Sequence, residues 1–318
     1  MLKGGVIGLG AMGSNHVRVL HELQEERKIE LVGVADIKED LAKEIAQRYG
    51  VDWFTDYRNL LKKKPDFVVV AVPTKLHRKV AIDAIKKGCS ILVEKPIAHT
   101  ISEGGKIVEA AKRNGVRLMV GHIERFNPAV QEIKNRIFGE KIVLVGAVRV
   151  GPMPPPQRLD TGVVIDLAVH DIDVIRYLTN SEFKKVSAFI SGNESNLEKS
   201  AVLSFEMETG ALAYIIANVI TPLKIRRIEV TTAKRFIRGD LISHKVTEYS
   251  GGQLISHARR SSFVTEIDIP YMEPLKLELK TFINSLEQAT EPPISGEDSL
   301  KALETALKCI RSLDRGPV

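Results

Sequence analysis

Residues 4–13 constrain this chain more than any other stretch, because they carry the glycine spacing Gly8-x-Gly10-x-x-Gly13. A short apolar run, Val6 and Ile7, precedes the spacing, and a segment with Met12, Val17, Leu20 and Leu23 at helical intervals follows it. A second apolar run, Leu31–Ala35, ends on Asp36, 23 residues past Gly13. Strand, tight turn, helix, strand and acid, in this order, are what dinucleotide binding requires. Gly8 makes the sharp turn, Gly10 presents no Cβ to an approaching pyrophosphate, and Gly13 lets the helix lie close to the strand. The first N–H groups and positive dipole end of the helix then face the phosphates. The expected cofactor contact is therefore the backbone at Gly8, Gly10, Ala11, Met12 and Gly13. Asp36 can accept both ribose hydroxyls of an adenosine. Its charge repels a 2′-phosphate and favours NAD, while Lys38, two residues on, leaves NADP open.

The first 120 residues alternate between strand and helix patterns. Phe67–Val72 is a continuous apolar run, as expected of a strand buried on both faces of a parallel sheet, and 91–93 and 118–120 are further short strands. Helical patterns cover 38–49, 56–63, 76–87 and 102–114, with Gly88 and Gly115 standing where the last two should stop. After Gly121 the rhythm changes. A helix over 127–138 leads to a strand over 142–150, and Gly151-Pro-Met-Pro-Pro-Pro156 can be neither helix nor central strand. A helix over 163–178 precedes consecutive strands at 185–191, 201–206, 211–219, 225–231 and 235–238. Helices over 273–288 and 297–313 close the chain. These patterns predict an α/β protein: an N-terminal Rossmann domain with a doubly wound parallel sheet over 1–121, then an α/β domain with an open, mostly antiparallel sheet over 122–318. The final helices are able to pack back on the first domain. The strands at 184–248 carry many apolar side chains, and a sheet face left uncovered predicts a homodimer or homotetramer formed through it.

The charge balance excludes little but directs the search. Lys and Arg number 46 against 40 Asp and Glu, a net charge of +6, yet the clusters at 62–64, 224–227 and 259–260 are short and lack interleaved aromatics. Nucleic acid is not the expected partner; a mild positive field suits an anionic small molecule. No apolar run reaches bilayer length and a strand begins almost at once, so no membrane partner and a cytoplasmic location are expected. Cys89 and Cys309 form no disulfide framework and show no metal spacing. The Asp166/His170 pair lacks further ligands nearby in sequence, so no metal is expected.

In open α/β sheets the ligand crevice lies beyond the carboxyl ends of the strands. Pro73, Thr74 and His77 open the helix after the strand at 67–72. Thr74 is the candidate N-cap, and His77 either stacks near the nicotinamide or braces the turn. Glu94-Lys95-Pro96 follows the next strand. An ammonium there can polarise a carbonyl or hold a developing alkoxide, and Pro96 is a candidate for a cis bond. In the helix at 163–178, Asp166 and His170 are four apart on one face, with Asp173 and Tyr177 extending the stripe. His170 can take a hydroxyl proton; Asp166 can orient it, or pair with Lys95. The alternative is an Asp–His hydrogen bond that merely braces the helix. His122, Arg125 and Asn127, in the turn joining the domains, either reach substrate or form a salt-bridged hinge.

Four motifs coincide: GVIGLGAMG at 5–13, VAVPTKLH at 70–77, EKP at 94–96 and DLAVHDID at 166–173. Together they resemble the glucose–fructose oxidoreductase / inositol dehydrogenase (Gfo/Idh/MocA) family. The resemblance implies NAD(P)-dependent hydride transfer at a secondary hydroxyl of a sugar or cyclitol, with Lys95, Asp166 and His170 as the catalytic set and with Glu94 and Lys95 near the cofactor. VGHIERFNPAV at 120–130 and GVVIDLAVHDIDVIRYLT at 162–179 are similar to members assigned as UDP-N-acetylglucosamine 3-dehydrogenases. That narrower likeness implies oxidation at C3 of UDP-N-acetylglucosamine, and the cations at 224–227 suit a diphosphate. A dehydrogenase of free inositol or hexose, or a cofactor-binding sensor without turnover, are the alternatives.

Overall fold

The computed structural model describes residues 1–154, 161–191, 197–251 and 262–312. They fall into two compact units: Met1–Ile123 with Leu275–Lys301, and Glu124–Pro274 with the chain from Ala302 onward. The first unit is built on β1 (Leu2–Ile7), β2 (Ile29–Ala35), β3 (Trp53–Phe54), β4 (Phe67–Val70), β5 (Ser90–Glu94) and β6 (Leu118–Gly121), with α1 (Ala11–Glu25), α2 (Glu39–Tyr49), α3 (Tyr57–Leu61), α4 (Thr74–Ile85) and α5 (Ile101–Asn114) between them. Among the described residues the sheet has six strands in the order β3-β2-β1-β4-β5-β6, and all of its pairs are parallel. The order reverses between β1 and β4, which is the topological switch point where such sheets bind ligands. All four residues of β4 are buried, as the apolar run requires.

Chain segments far apart in sequence complete this unit. α8 (Pro274–Glu287) brings Phe282 edge-on to Phe67, ring centroids 5.8 Å apart. Lys276 pairs with Glu22 of α1 and with Glu26, which caps that helix, each at 2.9 Å. α9 (Gly296–Arg311) begins in the first unit and contributes from Ala302 to the second.

The second unit contains α6 (Pro128–Arg136), β7 (Ile142–Val150), α7 (Val169–Thr179) and the strands β8 (Phe183–Ser191), β9 (Ser200–Met207), β10 (Leu212–Asn218), β11 (Ile225–Thr232), β12 (Arg235–Asp240), β13 (Lys245–Gly251) and β14 (Ser262–Ile267). Among the described residues its sheet has eight strands, ordered β14-β13-β12-β11-β7-β10-β9-β8. β7 and β10 run parallel; every other neighbouring pair is antiparallel. Period-two alternation gives the sheet two unlike faces. Ala201, Leu203, Phe205, Ala213 and Ile215 are buried in one core with Val169, Ile172 and Ile175 of α7. Val202, Leu212 and Phe189, on the other face, are exposed.

Several elements differ from the sequence pattern. The strand expected over 67–72 stops at Val70, because the Ala71 amide makes the last bond to β1, at Ile7, and the Val72 carbonyl turns to His77. β3, β13 and β14 were not among the expected strands. The helix expected over 163–178 opens as a π-turn, Val164–Ala168, in which the Val169 amide reaches back to the Val164 carbonyl. Of the proline-rich stretch, 151–154 has no regular structure, while Pro155 and Pro156 lie outside the described residues, as do Arg259, Arg260 and the last residue of the expected closing helix.

Candidate active site

The glycine turn of the first unit is built as its spacing demands. Gly8 has φ +90°, and a Cβ there would stand 2.6 Å from the Ala71 carbonyl oxygen. At Gly13 a Cβ would fall 1.8 Å from the Gly8 carbonyl oxygen, so helix and strand touch through bare backbone. Around Gly10 a Cβ would meet nothing within 4 Å, which leaves the space a phosphate needs. α1 has no side-chain N-cap and no acid in its first turn, so an external anion is the natural partner of its first N–H groups. Ala11 and Met12 form that first turn. The Asp36 carboxylate accepts from the Leu9 amide at 2.7 Å and the Lys38 amide at 2.8 Å. Two of its four lone-pair positions remain for ribose hydroxyls.

Two buried histidines brace the strand ends. His77 Nε2 lies 2.9 Å from the Val72 carbonyl and Nδ1 3.0 Å from the Pro96 carbonyl. Burial pushes its pKa down against the pull of both carbonyls. Pro73, not Thr74, is the N-cap of α4, because Thr74 already has helical geometry and no side-chain cap bond forms. Glu94 bonds His16 Nε2 at 2.7 Å and accepts from the Lys95 amide at 3.2 Å. Burial is the largest influence and opposes its ionisation, but the His16 hydrogen bond and the charges of His16, Lys95 and His77 together hold the carboxyl below its usual range. Lys95 follows directly, half-buried, with a cis bond to Pro96. His122 is buried and bonds the Ser299 hydroxyl at 2.9 Å.

In the second unit, Asp166 lies within the π-turn and His170 in the first turn of α7. Both are half-buried, between the buried residues Val164, Ala168, Val169 and Ile172. π-turns recur at functional positions because they re-aim side chains within an otherwise regular helix. Arg125 grips Asp173 with a two-point fork, 2.6 and 2.7 Å, and lies over the Tyr177 ring. Asn127 caps α6 through the Ala129 amide and donates to the Leu241 carbonyl. Arg125 and Asn127 are thus engaged within the second unit.

Sequence reasoning missed Arg149. Its guanidinium is buried, forks onto Asp171 at 2.7 and 2.9 Å, and donates to Glu124 at 2.8 Å. Burial pushes the Asp171 carboxyl up, and the Arg149 charge and its two-point fork oppose that rise. One signal was available: Val145, Ala147 and Arg149 share one face of β7, and Arg149 breaks an apolar alternation. Arg149, Asp166, Leu167, Asn218, Lys224 and Arg226 line a cavity of about 240 Å³. Among the described residues no group of three or more His, Cys, Asp or Glu is placed to hold a metal ion.

Residues 2–122 match the family described as "Oxidoreductase family, NAD-binding Rossmann fold", and residues 129–238 match the GFO/IDH/MocA C-terminal domain. The chain belongs to the Gfo/Idh/MocA oxidoreductases. Relatives within the family include myo-inositol 2-dehydrogenase of Thermotoga maritima, 27% identical, the match covering 98% of this chain and 96% of that one. UDP-N-acetylglucosamine 3-dehydrogenase of Acidithiobacillus ferrooxidans is 26% identical over 96% of both. A crystal structure of the latter superposes with a TM-score of 0.89 at 25% identity, covering 98% of this chain and 97% of that one. As a Gfo/Idh/MocA member the chain is an NAD-dependent dehydrogenase of the sugar and polyol class. The glycine turn, the open space at Gly10 and the Asp36 carboxylate fit that cofactor.

Proposed function

We propose that this dehydrogenase oxidises a secondary hydroxyl of a nucleotide sugar, with C3 of UDP-N-acetylglucosamine as the first candidate. The observation that carries this reading is the full-length likeness to the UDP-N-acetylglucosamine 3-dehydrogenase structure. A second reading, oxidation of free inositol, is favoured by the similar identity to the Thermotoga relative.

In either case Lys95, Asp166 and His170 serve one reaction. The nicotinamide supplies the hydride acceptor. His170 takes the hydroxyl proton as the substrate carbon becomes a carbonyl, and the Lys95 ammonium stabilises the charge that develops on the oxygen. Asp166, four residues before His170 in the same helical stretch, orients the imidazole. The opposite assignment, Lys95 as base and His170 as hydrogen-bond donor, uses the same three side chains. His122, Arg125 and Asn127 brace the site through their bonds to Ser299, Asp173 and Leu241. The uncovered face of the second sheet carries association into a homodimer or homotetramer.

The test is to follow NADH formation from UDP-N-acetylglucosamine, myo-inositol and glucose with the intact chain and with Lys95→Ala. The variant should lose turnover by about a hundredfold or more while keeping its NAD affinity. Undiminished turnover removes Lys95 from the mechanism. NAD binding without NADH formation from any of these compounds turns the reading towards a sensor.

A further inference from the structure

The cavity that Asp166 lines also carries the cations Arg149, Lys224 and Arg226. Arg149 and Arg226 face each other on neighbouring antiparallel strands, and Ala217 and Ala201 continue the same row across β10 and β9. Directly opposed like charges destabilise a sheet unless something neutralises them, and the small residues beside them leave room for it to enter. Arg149 is neutralised from within by Asp171 and Glu124. Arg226 is not to the same degree. Its nearest carboxylate is Glu124 at 3.7 Å, and Glu124 already accepts from Arg149 at 2.8 Å and Asn127 at 3.1 Å. Lys224 stands over Gly151, where a Cβ would lie 3.8 Å from its Cγ. The Arg226 charge, then burial, pushes its pKa down. Two cations thus line the cavity together with Asp166, whose charge acts on Arg226 more weakly than that of Glu124.

We propose that Lys224 and Arg226 bind an anionic substituent of the substrate, a phosphate ester or a carboxylate, while the neutral, hydroxyl-bearing ring lies towards Asp166. This rests on the reading of Asp166 as part of the dehydrogenase site and deepens it by naming the substrate class. An anion at Lys224 and Arg226 relieves their mutual repulsion and replaces the solvent that burial removes; at Asp166 it would be repelled. The cavity, about 240 Å³, is smaller than pockets that enclose a whole drug-sized ligand, so it takes one portion of the substrate. A free polyol has no group that uses the two cations.

The test compares N-acetylglucosamine, its 1-phosphate, its UDP ester and glucuronate at saturating NAD. For the preferred anionic substrate, Lys224→Met should raise KM about tenfold with kcat nearly unchanged, as expected when uniform binding is lost. KM for N-acetylglucosamine should not move, and Lys224→Arg should restore the anionic KM. Arg226→Gln should act in the same direction, with thermal melts checking that each variant folds. A preference for glucuronate assigns the subsite to carboxylates; a preference for the phosphate esters assigns it to phosphate. Equal changes for neutral and anionic substrates, or none, overturn the proposal. If the intact chain oxidises nothing, the dehydrogenase reading fails, and titration calorimetry with UDP still judges the subsite. Binding that Lys224→Met abolishes supports it, and absence of binding overturns it.

Discussion

A methyl group added at Gly10 and one added at Gly13 meet opposite surroundings. At Gly13 it would sit 1.8 Å from a backbone oxygen that cannot move without displacing the end of β1, so Gly13→Ala strains the fold itself. At Gly10 it would meet no protein atom, and the φ of −59° suits alanine. The methyl would instead occupy the space where the pyrophosphate approaches. Gly13→Ala should therefore cost more than about 2 kcal/mol of stability, read by urea unfolding. Gly10→Ala should keep the wild-type melting temperature and weaken NAD about tenfold or more, read by calorimetry. Equal NAD affinity in Gly10→Ala and wild type would mean the cofactor does not approach that backbone. Both roles were legible in the spacing of the glycines alone, because each follows from a missing Cβ.

At the scale of elements, α8 carries a carboxyl that a helix packed on a sheet rarely tolerates. Glu278 is fully buried and neither of its oxygens has a hydrogen-bond partner. Burial, and then the Glu94 charge, hold its pKa well above the ordinary 4.5. The folded chain thus keeps a proton that the unfolded chain releases above about pH 4.5. Stability from this group is complete at lower pH and declines as pH rises towards the folded pKa. Glu278→Gln cannot titrate, so its stability relative to wild type should increase between pH 5 and pH 8 in paired urea melts. A difference that is the same at both values would show that the folded carboxyl ionises like an exposed one. Nothing in the helical pattern of 274–287 marks Glu278 as buried beside another acid, because its partner stands on β5. The same limit hid the Arg125–Asp173 and Arg149–Asp171 pairs, which join residues 48 and 22 apart in sequence. Longer apolar periods were readable: α5, expected over 102–114, runs Ile101–Asn114, and β7 runs Ile142–Val150 as expected. β13 went unread because most of its residues are only half-buried and its period-two signal is faint. The π-turn went unread because one extra residue in a turn leaves the apolar pattern of 163–178 almost unchanged.

At the scale of the whole molecule, the second sheet presents an uncovered face that few monomers carry. Phe189, Val202 and Ile216 lie side by side in one row, since Phe189 pairs with Val202 and Val202 with Ile216. Leu212 and Leu144 form the row two further along, beyond the row of Tyr214, Gly146 and Ser204. Val202 and Leu212 are 46% and 54% exposed, and Phe189 71%. Exposed apolar side chains of this kind on one sheet face are more stable covered than wet, and a second copy of the same face covers them with closed symmetry. Covering it buries side chains without altering the core on the other face, where Leu203 and Ile215 pack. Val202→Lys with Leu212→Lys should therefore leave the monomer folded, helped by Glu206 opposite Leu212, and should shift the size-exclusion and light-scattering mass from the oligomer to a single chain. Far-ultraviolet circular dichroism should stay that of the wild type. A wild-type protein that runs as a single chain, or a variant that still runs as an oligomer, removes this face from assembly.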